Sequence, residues 1–118
     1  MNNYTDRELI ELAALAAGID CDWNENFGKS GMMMIRNPQT YRLCFDPIND
    51  DGDALRLCVK LGFGISFGQY APLDVYSVYV SEIEGGDTLA VGCIVDENET
   101  SVVRRAITQA AAVIGTTK

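Results

Sequence analysis

A chain without histidine must draw any chemistry from carboxylates, thiols, hydroxyls and amines. This one carries 17 Asp plus Glu, 4 Cys and 9 Lys plus Arg in 118 residues. The missing imidazole removes Ser-His and Cys-His nucleophile pairs, imidazole general bases and His-containing zinc sites. Asp50, Asp51 and Asp53 around Gly52 suggest a calcium loop. In the EF-hand pattern a Gly at the sixth position needs ligands one, three and five residues before it and a Glu six after it. Those positions hold Asp51, Asn49, Pro47 and Cys58, so the pattern breaks where the bidentate ligand belongs. Helix capping is the simpler account of the cluster, and a metal-dependent enzyme or binding module built on Asp50, Asp51 and Asp53 is the alternative.

Other candidate motifs fail on spacing or context. Gly62, Gly64 and Gly68 are spaced G-x-G-x-x-x-G and follow a helical pattern, whereas a dinucleotide loop follows a strand and opens a helix. Ser30 and Ser66 lack a histidine, and a Ser-Lys arrangement using Lys29 or Lys60 has no motif behind it. Among so many acidic residues some pair of carboxylates always meets, which makes paired carboxylates uninformative. Cys21, Cys44, Cys58 and Cys93 form no C-x-x-C pair and are expected as small apolar core residues. The expectation is therefore of a non-enzymatic protein with no cofactor.

The formal charge of -8 argues against direct contact with phosphate backbones or anionic lipid. An acidic nucleic-acid mimic is a further alternative, but its carboxylates would have to share one face and they are spread over at least five segments. Residues 1–20 place Asp6, Glu8 and Glu11 among apolar positions, which is not the pattern of a signal peptide, and uncharged runs are too short to span a bilayer. A cytoplasmic protein is expected, so the sequons at Asn3 and Asn98 carry no chemistry.

The elements that must position any site follow from periodicity. Thr5-Asp6-Arg7-Glu8 is a capping box that starts a helix over 6–17, with Leu9, Leu12, Ala13, Ala16 and Ala17 as its apolar stripe and Gly18 as its stop. Residues 18–31 show neither period and read as a long loop, the first place to seek a partner surface. Its candidate partner-binding residues are Asp20, Asp22, Trp23, Glu25 and Phe27. Met32–Arg36 and Tyr41–Phe45 read as a hairpin about the Asn37–Thr40 turn, with the three methionines filling an irregular core.

Asp50–Asp53 opens a second helix with Ala54, Leu57, Cys58 and Leu61 on one face, ended by Gly62. Strands are expected at Ile65–Tyr70, Val75–Ile83 and Leu89–Val95, the last two joined by a turn at Glu84–Asp87 with positive φ at both glycines. Leu89–Val95 is apolar on both faces and reads as a central strand. Thr100 or Glu99 caps a last helix carrying Val103, Ala106, Ile107, Ala110, Val113 and Ile114, stopped by Gly115. The sum is one domain over 1–118, α+β, with an antiparallel sheet of about four to five strands and three helices covering both faces.

The block Phe45-Asp46-Pro47-Ile48-Asn49-Asp50-Asp51-Gly52-Asp53-Ala54-Leu55-Arg56-Leu57-Cys58-Val59-Lys60-Leu61 resembles the phage ABA sandwich domain family of small phage and prophage proteins. The opening Asn3–Leu9 segment and the Arg104-Arg105-Ala106-Ile107 helix are similar as well, so the likeness covers most of the chain. Family members often read Trp-Asn-Pro where this chain has Phe45-Asp46-Pro47, and Cys58 stands where Ala is common. The resemblance implies a phage or prophage accessory protein of the bacterial host cytoplasm and carries over no activity and no site residues. The expected partner is a host or phage protein.

Overall fold

Thr5 begins the first helix as its spacing predicts: its hydroxyl accepts the Glu8 amide at 3.2 Å and the Glu8 carboxylate accepts the Thr5 amide at 2.9 Å. The structure, a computed structural model, describes residues 4–26, 31–36, 44–70, 75–83, 86–94 and 99–117. The helices are α1 (Asp6–Ala17), α2 (Asp51–Leu61) and α3 (Glu99–Gly115). The strands are β1 (Cys21–Asn24), β2 (Met32–Ile35), β3 (Phe63–Tyr70), β4 (Val75–Glu82) and β5 (Thr88–Ile94). Gly18 and Gly62 close α1 and α2 in the left-handed conformation, as expected.

The fold is α+β with three helices, and the antiparallel strands divide into two sheets, β1-β2 and β3-β4-β5. α3 lies against β4 and β5, α2 packs on α3, and α1 runs along α3 while touching β2. Helical cover falls on the face of the larger sheet that holds Val78 and Val80, both fully buried. Val102 of α3 reaches Gly92 of β5 on that face. Val91 and Cys93 look outward from the other side of β5 and are exposed.

Two expectations about the strands change. Leu89–Val95 is not central: β5 is an edge strand, and β4, whose Val78 and Val80 meet Phe67, Ile65, Gly92 and Ala90 across the ladders, takes the middle. Residues 18–31 are not all loop, because Cys21–Asn24 forms β1 and pairs with Met32–Ile35. Its alternation of half-buried Cys21 and Trp23 with exposed Asp22 and Asn24 spans only four residues, too few for a period to stand out. Of the expected hairpin partner Tyr41–Phe45 the structure describes Cys44 and Phe45, where Met34 bridges Cys44 and the Phe45 amide donates to the Met33 carbonyl at 2.9 Å. The Asn37–Thr40 turn, Tyr41 to Leu43, Glu84, Gly85 and Phe27 lie outside the described residues.

Small residues hold α1 and α3 together. Ala13, Ala106, Ala110, Ala111 and Ala112 are all but inaccessible. Gly115 is the last residue of α3, and its role is not a left-handed stop. A Cβ there would fall on the Leu12 carbonyl oxygen and lie 2.8 Å from its carbon. This is a close approach of two backbones that only glycine permits. α3 also contains Glu99 and Thr100 within its helical turns, so neither is its cap.

Candidate functional site

α1 and the smaller sheet bound an open groove of about 660 Å³. The capping box fixes where α1 starts and hence which residues face β1. Arg7, Glu11 and Leu15, spaced by one turn, line the groove from the helix. From β1, the alternation aims Trp23 toward the same space, and Trp23 sits opposite Met33 in the ladder. Leu12, Leu15, Ile19, Trp23 and Met33 form its apolar lining, with Met33 buried and Leu15 half exposed.

Trp23 is held from two directions. The Arg7 guanidinium lies 5.0 Å from the ring centroid, a cation–π contact worth about 0.5–1 kcal/mol at an exposed site. Gly31, at φ +89, passes so close that a Cβ would stand 2.6 Å from the indole Nε1. Arg7 also pairs with Glu11 at 2.7 Å and with Glu25 at 3.7 Å. Both pairs are well exposed, so each contributes a fraction of a kcal/mol and serves mainly to aim the guanidinium.

A second guanidinium serves the acidic rim. Arg36 hydrogen-bonds Asp22 and pairs with Asp20 at 3.4 Å, while its amide donates to the Asp20 carbonyl at 2.9 Å. The hydrogen bond from the Arg36 guanidinium holds the Asp22 carboxyl below its ordinary range, with the Arg36 charge adding to the effect. Glu8 is likewise lowered, by its hydrogen bonds with Thr5. Burial, reinforced by the Asp20 and Asp22 charges, pushes the Cys21 thiol up to about 11. Cys21 is thus a poor nucleophile at neutral pH.

The structure gathers Asp20, Asp22, Trp23 and Glu25 at one site, on β1, the residue before it and the turn after it; Phe27 lies outside the described residues. It adds Arg7, Glu11 and Leu15, none of which belongs to the apolar stripe that periodicity gave α1. The available signal was Leu15, an apolar residue off the buried stripe of its own helix. Cys93 is exposed and not a core residue, because it stands on the face of β5 opposite that of Gly92, the residue Val102 of α3 reaches; Cys58 is buried as expected.

The Asp50–Asp53 cluster has structural work. Asp50 is the N-cap of α2, accepting the Asp53 amide at 2.8 Å. Buried Asp53 accepts the Asp46 amide at 2.8 Å and the Arg56 guanidinium at 3.0 Å. Asp51 pairs at 2.6 Å with Arg104, whose Nε donates to the Ile48 carbonyl at 2.7 Å and so ties α3 to the segment before α2. Among the described residues no three side chains of the metal-ligating types converge on a common point. Among the described residues the carboxylates are spread over α1, β1, α2, the end of β4, the start of α3 and the segments between these elements.

No protein-family model, no curated protein and no solved structure matches this chain. Among the described residues no helix is long and apolar enough to cross a membrane.

Proposed function

We propose that the chain is a phage or prophage accessory protein of the bacterial host cytoplasm that acts by binding a host or phage protein through the groove between α1 and β1. It works without a cofactor or direct contact with nucleic acid. The observation that carries this reading is the composition of the groove. An apolar floor of Leu12, Leu15, Ile19, Trp23 and Met33 is rimmed by Glu8, Glu11, Asp20, Asp22 and Glu25, five carboxylates against the guanidiniums of Arg7 and Arg36.

A half-buried tryptophan supplies large contact area at low entropic cost, the usual property of a binding hot spot. The acidic excess favours a basic amphipathic segment as the partner's contact element and disfavours acidic ones. Affinity capture from host lysate with the wild type, Trp23→Ala and Leu15→Lys tests this. One protein recovered by the wild type and depleted about tenfold or more with both variants, matching a hot-spot loss above 1.4 kcal/mol, is expected. Equal recovery with all three proteins contradicts it.

A further inference from the structure

We propose that the chain forms a two-fold symmetric dimer through the outer face of α2 and the adjoining end of β4. This surface is separate from the α1–β1 groove, so it stands or falls independently of the binding function. The three most exposed large apolar side chains among the described residues are Val59 at 75%, Ile83 at 70% and Leu55 at 63%. They are not scattered. Leu55 and Val59 stand one turn apart on α2, opposite the buried stripe of Ala54, Leu57 and Cys58. Ile83 is fastened to the end of that helix by its amide, which donates to the Gly62 carbonyl at 3.2 Å. Val59 and Ile83 line one shallow hollow of about 410 Å³. Single exposed apolar residues need no explanation, but a contiguous set at the outermost positions of a helix marks an interface.

The charges at the hollow identify the occupant. Lys60 from α2 and Glu82 from β4 line it together with Val59 and Ile83, and among the described residues neither makes an ion pair. A patch that carries one cation and one anion around an apolar centre is its own complement. In an isologous contact Lys60 of each protomer meets Glu82 of the other, and each apolar centre covers its copy. A partner of one charge sign would satisfy only one of the two groups, which favours a second copy of this chain.

Sedimentation velocity across the micromolar range tests the proposal. The wild type is expected to rise with concentration toward twice 12.9 kDa. Val59→Lys, which places a charge in the apolar centre, and Lys60→Glu, which sets like charges across the contact, are both expected to remain at single-chain mass. The double variant Lys60→Glu with Glu82→Lys is expected to regain the dimer. All three substitutions are at accessible positions, and far-UV circular dichroism confirms that the variants are folded. A wild type that stays at single-chain mass at the highest concentration overturns the proposal, as does a dimer undiminished by Val59→Lys.

Discussion

Replacing Gly31 by Ala tests whether Trp23 is positioned as described, because Gly31 touches the site in two separable ways. Its φ of +89 is a conformation that alanine enters at a cost of about 1–2 kcal/mol. The added Cβ would also stand 2.6 Å from the indole Nε1 and 2.8 Å from its Cε2, whereas ordinary van der Waals contact begins near 3.4 Å. The ring therefore has to retreat by close to 1 Å, and in doing so it loses part of the Arg7 contact, worth about 0.5–1 kcal/mol. Together these come to about 1.5–3 kcal/mol, or roughly 6–12 °C in Tm at about 4 °C per kcal/mol for a domain of this size.

Trp23 is the chain's one tryptophan, so its fluorescence reports the displacement directly, and the emission maximum is expected to move to the red as the ring enters solvent. Gly18→Ala is the control for backbone strain alone, since Gly18 has a φ of +70 and nothing within 4 Å of its missing Cβ. It should lose stability without shifting the emission. Equal Tm losses for the two variants with an unchanged Gly31→Ala spectrum would show that the ring does not rest against Gly31.

Gly115→Ala drives a methyl into the Leu12 backbone, which has no rotamer with which to yield, so α1 must separate from α3 along its alanine-lined contact; urea unfolding is expected to show a loss of about 2–3 kcal/mol, and a loss below about 0.5 kcal/mol would refute the close approach. Cysteine alkylation followed by mass spectrometry should modify exposed Cys93 well before Cys21 at pH 8, where a thiol held near 11 is about one-thousandth ionised. The linkage has a definite sign. The unfolded Cys21 thiol ionises from about pH 8.5 while the folded one keeps its proton to about 11, so Cys21 contributes stability below that window and loses it as pH rises through it. A Cys21→Ala variant should therefore show a shallower fall of Tm between pH 8.5 and 11; an unchanged slope contradicts the thiol's environment.

Much of the scaffold was legible because it rests on local rules. Thr5 and Glu8 announce the start of α1, Asp50 the start of α2, and the stripes of Leu57 with Cys58 and of Ala106 with Ala110 give the buried faces. What escaped depends on pairing across the chain. β1 is four residues long and half polar, and only its ladder with Met32–Ile35 makes it a strand. The exposure of Val91 and Cys93 follows from the order β3-β4-β5, which composition cannot distinguish from an order with β5 inside. Of the site, Trp23 and its acidic neighbours stood out as residues without a structural explanation. Arg7 and Leu15 could be added only once α1 and β1 were seen to share a groove.

Hydrogen exchange of the protein with and without its captured partner tests the central claim most directly. The account predicts slowed exchange at the amides of 7–15 on α1 and 20–24 on β1, with α2 unaffected by the partner. Protection confined to α2 or to the outer face of β5, with the α1 and β1 amides unchanged, would contradict it.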